Sequence, residues 1–253
     1  MKKTDKPDHS DARVQDVLYA QPREAITDFV FDASVVKVFE DMIGRSVPGY
    51  STLLSMFPVL ARYFVQDNSH CYDLGCSLGA STLAMQQGID KSAVKIIAVD
   101  NSAAMVEKCQ ALVTRHSGNA QVSVIQKDIC DLQMTNASLM VMNFTLQFIA
   151  EELRESLISE IYTALNKGGA FVLSEKIKTD SVLEQDRLTS LHHAFKKANG
   201  YSELEISQKR TSIENVLIPE TVEKHVGRLK DAGFTEVVVW FRCFNFVSFL
   251  AIK

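Results

Sequence analysis

Short apolar runs alternate with amphipathic stretches through the middle of this chain, and that alternation constrains the fold more than any other feature. Five runs have the length and composition of β-strands, and helical patterns separate most of them. Because strands joined through helices pair in parallel with right-handed crossovers, the alternation predicts an α/β protein. The strand-like runs are 71–74, 94–100, 122–126, 139–144 and 170–175, and the helical patterns are 80–87, 103–115 and 150–165.

The two ends of the chain depart from this alternation. Apolar residues at helical spacing predict two helices within 28–64, ahead of the sheet. Residues 177–219 are charged and helical in pattern, and a helix over 221–232 follows them. Two further strand-like runs, 236–241 and 244–252, lie so close together that they predict an antiparallel hairpin.

Together these elements predict a doubly wound, mainly parallel seven-stranded sheet that finishes in a C-terminal antiparallel hairpin. This arrangement resembles the class I methyltransferase architecture, which is Rossmann-like. We divide the chain into a polar tail with a helical cap, 1–64, and a Rossmann-like domain, 65–253. That domain carries a helical insertion at about 177–219, and a turn at 166–169 is expected before its fifth strand.

Charge and cysteine content narrow the functional classes. The 27 basic and 31 acidic residues give a net charge of −4, which does not suit a surface that binds nucleic acid throughout, although it leaves room for a local basic patch. The five cysteines show neither a C-x-x-C pair nor another metal-ligand spacing, so we expect reduced thiols and no metal. No apolar run resembles a signal peptide or could span a bilayer. We therefore expect a cytoplasmic protein without a membrane partner.

The first strand-like run ends in a glycine loop, Asp73-Leu-Gly-Cys-Ser-Leu-Gly79. Ligands bind beyond the carboxyl ends of parallel strands; Gly75 would let the backbone approach one closely, and Gly79 would let the next helix pack tightly. The spacing is not the G-x-G-x-x-G of dinucleotide sites, and Ser77 takes the middle-glycine position of the D-x-G-x-G-x-G methyltransferase pattern. The methionine end of S-adenosylmethionine carries an ammonium group, for which Asp73 is a favourable neighbour. The loop therefore predicts S-adenosylmethionine as the ligand.

Polar residues also follow the next three strands. Asp100 and Asn101 end the second strand, where a carboxylate can accept hydrogen bonds from both ribose hydroxyls. After the third strand, Asp128 can accept from the adenine amino group while Ile129 packs on the ring, and Asn143 ends the fourth strand beneath the reactive centre. Each residue alone also fits a turn or a helix cap, and for Asp128 the two interpretations are evenly matched. Their order at successive strand ends favours the S-adenosylmethionine site.

A set of cationic and hydroxyl residues indicates an anionic small molecule near this site. Arg45 and Tyr50 lie in the N-terminal cap, and Lys209 and Arg210 lie in the insertion. Arginine pairs bidentately with carboxylates, so these residues would suit such a ligand. For each of them a solvated surface position, or simple packing for Tyr50, remains the alternative.

Several longer segments resemble the carboxy-S-adenosyl-L-methionine synthase family, and the resemblance runs from about residue 28 to the C-terminus. The insertion segment is the most specific, because it is long and unlike the common glycine loop. The segments are 41–50 (DMIGRSVPGY), 72–79 (YDLGCSLG), 143–148 (NFTLQF), 195–210 (FKKANGYSELEISQKR) and 240–246 (WFRCFNF).

The resemblance implies that S-adenosylmethionine is a substrate and that it is carboxylated. Prephenate would donate the carboxyl group and leave as phenylpyruvate, while the methyl group of S-adenosylmethionine loses a proton to form a ylide that captures carbon dioxide. A separate enzyme would use the product to build the 5-oxyacetic acid group on the wobble uridine of certain tRNAs, so no direct contact with nucleic acid is implied. The resemblance also implies a homodimer in which the insertion arginine reaches the neighbouring subunit.

The same resemblance assigns site residues in this chain. The implied catalytic residues are Arg210, Tyr50 and Asn143, and a guanidinium at Arg210 could bind the new carboxylate bidentately. An ordinary S-adenosylmethionine-dependent methyltransferase acting on a small molecule or tRNA, or an inert regulatory protein that binds S-adenosylmethionine, remains the alternative. The implied contacts to S-adenosylmethionine are Tyr50, Gly75, Cys76, Ser77, Asp100, Asn101, Asp128, Ile129, Asn143 and Arg210.

Overall fold

A computed structural model describes residues 14–253 of the protein. Most of the predicted polar tail, 1–13, therefore lies outside the described residues. Two helices form the cap, α1 (Ala33–Ser46) and α2 (Tyr50–Phe64). The start of α1 is set by Asp32, whose carboxylate accepts hydrogen bonds from the first free N–H groups of the helix. The division of the chain at residue 64 remains a prediction.

The sheet has seven strands: β1 (His70–Leu74), β2 (Lys95–Asp100), β3 (Gln121–Gln126), β4 (Ala137–Asn143), β5 (Leu165–Lys176), β6 (Glu236–Cys243) and β7 (Phe246–Ile252). Their order across the sheet is β3-β2-β1-β4-β5-β7-β6. The first five strands pair with one another in parallel, and β7 runs antiparallel to both β5 and β6. The predicted sheet with its C-terminal antiparallel hairpin is therefore confirmed.

Helices cover both faces of the sheet, as a parallel sheet requires. The central strand β4 is buried from Ala137 to Met142 because apolar layers lie above and below it. One layer includes residues of α2 and α3, and the other includes residues of α5 and α8. The remaining helices are α3 (Ala80–Gly88), α4 (Ala103–Arg115), α5 (Glu151–Ala164), α6 (Val182–Ala198), α7 (Glu203–Ile213) and α8 (Val222–Asp231).

The insertion consists of α6 and α7, as the helical pattern predicted. Each helix begins at a serine cap, and Ser202 forms a reciprocal capping box with Glu205 at the start of α7. A short segment ahead of α1 packs against this insertion: the N–H of Phe29 donates to the carbonyl of Ser212 at 2.8 Å. The N-terminal cap and the insertion therefore contact each other above the sheet.

Several predicted strand boundaries differ from the structure, and two of these errors have a clear local cause. The turn expected at 166–169 lies within β5, which starts at Leu165 because the ladder with β4 continues through an irregular register near Ala137. The last strand starts at Phe246 and not at 244, since Phe244 adopts a left-handed φ of 53° and begins the turn between β6 and β7. Both errors arise from local irregularities that an apolar pattern does not reveal. Within residues 14–253 no helix has the length and apolar character needed to cross a membrane.

Candidate active site

A cavity of about 290 Å³ lies over the carboxyl ends of the parallel strands. This is where an open α/β sheet places its ligand. Seven of the residues predicted to contact S-adenosylmethionine line the cavity together: Gly75, Ser77, Asp100, Asn101, Asp128, Ile129 and Asn143.

The glycine loop adopts the backbone that its sequence suggests. Gly75 has a φ of +82°, and a Cβ there would fall on the side chain of Thr145. Its N–H and that of Cys76 both donate to the carbonyl of Val99, at 2.8 and 2.9 Å. Ser77 also adopts a positive φ of 49°, which is unfavourable for a residue with a side chain and is typical of a turn held for function. The loop thus presents a tight, fixed backbone to the cavity.

Asp73 lies behind this loop and does not line the cavity. Thr82 on α3 donates its hydroxyl to one carboxylate oxygen of Asp73 at 2.5 Å, while the other oxygen is buried without a partner among the described residues. Burial raises the pKa of Asp73 to about 7, although the Thr82 hydrogen bonds lower it. In this structure Asp73 therefore joins β1 to α3 and does not line the cavity.

Asp100 is held in the cavity wall by two backbone donors. The N–H of Ser77 donates to Oδ2 and the N–H of Ser102 donates to Oδ1, both at 2.9 Å. Burial raises the pKa of Asp100, and these two N–H groups oppose that shift. Each carboxylate oxygen can accept more than one hydrogen bond, so Asp100 retains acceptor capacity for a pair of hydroxyl groups.

Asp128 fits both interpretations that the sequence left open. Its side chain accepts a hydrogen bond from the N–H of Cys130 at 2.9 Å and so caps a short 3-10 turn, Ile129–Asp131. The same residue lines the cavity beside Ile129, whose side chain is buried. A cap and a cavity wall are therefore combined in one residue.

Asn143 is the last residue of β4, and only one of the two polar atoms of its side-chain amide has a hydrogen-bond partner among the described residues. Its Nδ2 donates to Ser81 Oγ at 3.2 Å, whereas its Oδ1 is buried and has no partner among residues 14–253. Leaving a buried acceptor unpaired costs about 1–3 kcal/mol, so a ligand that donates a hydrogen bond here would be favoured. The loop after Asn143 is fixed by Glu175, which accepts from the N–H groups of Leu146 and Gln147 at 3.0 and 2.9 Å.

Three predicted site residues do not line the cavity of this chain: Tyr50, Cys76 and Arg210. Tyr50 is the first residue of α2, and its ring centroid is 6.4 Å from that of Phe144, which does line the cavity. Burial raises the pKa of Tyr50. Hydrogen bonding to Cys109 and burial raise the pKa of the Cys76 thiol, so it is a poor nucleophile. Arg210 is exposed on α7.

Sequence reasoning missed two groups of cavity residues. The first group is aromatic. Phe31 lies ahead of α1, and its ring centroid is 5.1 Å from that of Phe29 and 5.3 Å from that of Phe148. The second comprises Lys176 and Lys196, which join the predicted Lys209 in the cavity wall. Lys176 could have been found, because it ends the fifth strand at the same edge as Asn143. Lys196 carries no such signal.

Arg45, the other predicted cation, acts elsewhere. Its Nε donates to Asp41 at 2.8 Å, and its guanidinium stacks on Tyr201 at 4.0 Å from the ring centroid. The first contact lies within α1, and the second joins α1 to the insertion. Among the described residues no group of three or more His, Cys, Asp or Glu side chains is placed to hold a metal ion.

Comparison with known proteins assigns the family. A family model described as a methyltransferase domain matches residues 72–169. Carboxy-S-adenosyl-L-methionine synthase from Marinobacter nauticus is 53% identical over 241 residues, which cover 95% of this chain and 96% of that protein. The chain belongs to the carboxy-S-adenosyl-L-methionine synthase family. It is therefore an enzyme, and the resemblance found in its sequence is confirmed.

Further comparisons agree with this family and with its fold. The carboxy-S-adenosyl-L-methionine synthase of Yersinia enterocolitica is 51% identical over 239 residues, 94% of this chain and 90% of that protein. A putative S-adenosylmethionine-dependent methyltransferase structure from Methanococcus maripaludis superposes with a TM-score of 0.58 at 19% identity, covering 90% of this chain and 96% of that one. At such low identity the structural match shows the class I methyltransferase fold alone. The synthase family thus uses this fold for a reaction that the fold by itself does not specify.

Proposed function

We propose that the chain transfers a carboxyl group from prephenate to S-adenosylmethionine, giving carboxy-S-adenosylmethionine and phenylpyruvate. The observation that carries the proposal is the similarity over nearly the full length to relatives that bear the synthase name. The cavity supports it, since seven of the residues that the family resemblance assigns to S-adenosylmethionine meet in one wall.

S-adenosylmethionine would lie along the carboxyl ends of β3, β2, β1 and β4. Asp128 and Ile129 would hold the adenine, Asp100 would accept from the ribose hydroxyls, and the loop at Gly75 would follow the methionine part. The reactive methyl group would then lie near Asn143, whose unpaired Oδ1 supports a polar contact there. S-adenosylmethionine supplies an activated methyl group on a sulfonium, and the protein supplies its orientation.

The proposed conversion balances without an oxidant or a metal. The bond between the ring carbon of prephenate and its carboxylate breaks, and its electron pair makes the ring aromatic as the ring hydroxyl leaves. That hydroxyl and one proton from the methyl group of S-adenosylmethionine together form water. A new carbon–carbon bond joins the methyl carbon to the released carbon dioxide. The products are phenylpyruvate, water and carboxy-S-adenosylmethionine.

Such a conversion needs a site from which bulk water is excluded, because solvent protons would quench the deprotonated methyl group. The aromatic residues that precede and form α1 supply this shield: Phe29, Phe31 and Phe39 line the cavity with Phe148. Phe29 is held in place by its hydrogen bond to Ser212 on α7. The N-terminal cap and the insertion would therefore close the site together.

Arg210 would bind the carboxylate of the product from the neighbouring subunit of a homodimer. Its exposure on α7 is compatible with this role, since a residue that serves a partner has to face outwards in the isolated chain. A guanidinium there would pair with the new carboxylate and would stabilise the charge that develops during transfer. The reaction would take place in the cytoplasm, and a separate enzyme would pass the product to the wobble uridine of tRNA.

The test is to incubate the protein with S-adenosylmethionine, with and without prephenate, and to weigh the bound ligand by mass spectrometry. Carboxy-S-adenosylmethionine that appears only with prephenate supports the proposal. S-adenosylhomocysteine formed with an acceptor would indicate an ordinary methyltransferase instead, and unchanged S-adenosylmethionine would indicate an inert binding protein.

The role of Arg210 has its own test. Arg210→Ala should leave binding of S-adenosylmethionine within about threefold of the parent and should weaken retention of the carboxylated product about 100-fold, equivalent to about 2.7 kcal/mol for a lost bidentate ion pair. Arg115→Ala, at an exposed arginine that ends α4, is the matched control and should match the parent. Undiminished retention by Arg210→Ala would contradict the assignment.

A further inference from the structure

One end of the cavity is built from lysines that come from three different elements. Lys176 is the last residue of β5, Lys196 lies on α6 and Lys209 lies on α7, and all three line the cavity. Within residues 14–253, Lys176 and Lys196 form no salt bridge. Lys209 has one carboxylate within salt-bridge distance, that of Asp16, whose Oδ2 is 3.9 Å from its Nζ, and the negative charge of Asp41 also acts on it. The cations thus outnumber the acids at this end.

These charges are held close together at an energetic cost. Burial, together with the positive charges of Lys209 and Lys176, lowers the pKa of Lys196 to about 7, while Asp16 opposes the shift. Burial likewise lowers the pKa of Lys209 to about 8. Burial and the positive charge of Arg210 together lower the pKa of Lys176. A cluster that repels itself in the free protein would be stabilised by a bound anion.

The neighbouring histidine, His192, adds no positive charge to the lysine end of the cavity. His192 Nε2 lies 2.8 Å from the carbonyl oxygen of Ser46, so this nitrogen carries a proton and donates it. Burial lowers the pKa of His192 to about 3, which keeps the ring neutral. The lysines are therefore the groups that give this end of the cavity its charge.

The sheet fixes where the cluster lies relative to the reaction centre. Asn143 on β4 pairs in register with Ser174 on β5, and Lys176 follows two residues later. Neighbouring strands are about 5 Å apart, so the lysine end begins one strand beyond the proposed position of the methyl group. The side of the cavity that holds the lysines is thus opposite the side of Asp100 and Asp128, with Asn143 between them.

We propose that Lys176, Lys196 and Lys209 bind the keto-acid carboxylate of the donor, the carboxylate that the reaction retains. This assignment rests on the proposed function, in which the donor carries two carboxylates. The carboxylate that is lost has to lie at the methyl group, near Asn143, and it gives up its charge as its carbon–carbon bond breaks. A lysine paired with it would stabilise the ground state more than the transition state and would slow the reaction. A lysine paired with the retained carboxylate only orients the donor.

The experiment compares Lys176→Gln and Lys196→Gln with the parent and with Lys197→Gln as the matched control. Lys197 is exposed on α6 and pairs with Glu203, so its substitution should change nothing at the cavity. Two quantities are measured at saturating S-adenosylmethionine: the KM for prephenate, and the binding of phenylpyruvate by calorimetry. Phenylpyruvate has lost the ring carboxylate and keeps only the keto-acid carboxylate, so it reports on the retained group alone.

Each cavity variant should raise the KM for prephenate and weaken phenylpyruvate binding by the same factor, about tenfold or more, while binding of S-adenosylmethionine stays unchanged. Lys196→Arg, which keeps the charge, should restore most of both. Weaker use of prephenate with unaltered phenylpyruvate binding would overturn the assignment, because the lysines would then hold the departing carboxylate. Unaltered KM and unaltered phenylpyruvate binding would also overturn it.

These outcomes separate the subsite from the proposed function. If the parent makes carboxy-S-adenosylmethionine and the lysine substitutions change neither measurement, the proposed function stands and the proposed subsite is wrong. A parent that binds phenylpyruvate through the lysines but makes no carboxy-S-adenosylmethionine from prephenate keeps a keto-acid subsite and loses the proposed reaction. A parent that does not bind phenylpyruvate overturns the subsite.

Discussion

The two ends of the cavity differ in how their polar groups are satisfied. At the end formed by β1 and β2, Asp100 accepts two backbone hydrogen bonds and the loop at Gly75 is fixed by the carbonyl of Val99. At the β5 end, Lys176 and Lys196 have no carboxylate partner among the described residues. The first end is thus preformed by hydrogen bonds within the protein. The second is a charged surface that is complete only with an anion, which is the property expected where a second substrate binds.

The largest expected effect falls on the preformed end. Asp100→Ala removes the proposed acceptor for the ribose hydroxyls and also frees the N–H of Ser77, so the Kd for S-adenosylmethionine should rise about 100-fold, or about 2.7 kcal/mol. Isothermal titration calorimetry measures it. Asp90→Ala, at an exposed acid after α3, is the control. A Kd within threefold of the parent would remove Asp100 from the ligand site.

A smaller effect is expected from the loop backbone. Gly75→Ala forces a side chain into a positive φ and onto Thr145, which should lower the free energy of unfolding by about 2 kcal/mol and weaken S-adenosylmethionine binding about tenfold. Chemical denaturation and calorimetry measure the two changes. Gly227→Ala in α8 is the contrasting variant: its Cβ meets nothing within 4 Å, so it should stabilise the protein by about 0.5–1 kcal/mol. Equal behaviour of the two glycines would count against a strained, preformed loop.

The smallest effect concerns the stability of the lysine end. Because Lys196 has a pKa of about 7 in the folded protein and 10.5 as a free side chain, the unfolded chain binds more protons between these values, and stability rises with pH there. Lys196→Gln removes the repelling charge, so its Tm should exceed that of the parent by about 2 °C at pH 6. The difference should fade towards pH 10.5, as scanning calorimetry would show. The pKa of Lys196 is lowered by burial and by the charges of Lys209 and Lys176, and it is raised by the charge of Asp16.

Lys197→Gln provides the control for that measurement, since Lys197 is exposed and its pairing with Glu203 is at the surface. Its Tm should follow that of the parent within about 1 °C at every pH. A gain in Tm for Lys196→Gln that persists at pH 10.5 would mean that packing, not charge, limits stability at this end of the cavity.

The sequence predicted the first end far better than the second, for a physical reason. Gly75, Ser77 and Asp100 follow strands whose apolar runs are visible, and parallel strands bring their carboxyl ends to one edge. Lys196 and Lys209 reach the cavity only because α6 and α7 pack over that edge. Without that packing, a lysine on a helix is expected to be a surface residue. The start of β5 at Leu165 was missed for a similar reason, since pairing with Ala137 extends the strand through a glycine turn.

The proposed catalytic residues show the same division. Asn143 could be placed from the end of its strand, and the structure adds that its Oδ1 is unpaired. Arg210 was assigned from the family resemblance, and in this chain it is exposed outside the cavity. Its proposed role depends on a second subunit, which neither residue spacing nor the fold of one chain can specify.

In the proposed reaction prephenate donates its ring carboxylate to S-adenosylmethionine, while the lysine end holds the keto-acid carboxylate. The decisive measurement is mass spectrometry of the products made from prephenate labelled with carbon-13 in one carboxylate. Label in the ring carboxylate should appear in carboxy-S-adenosylmethionine, and label in the keto-acid carboxylate should appear only in phenylpyruvate. Label from the keto-acid position in carboxy-S-adenosylmethionine, or no carboxylated product at all, would show that this reaction does not take place.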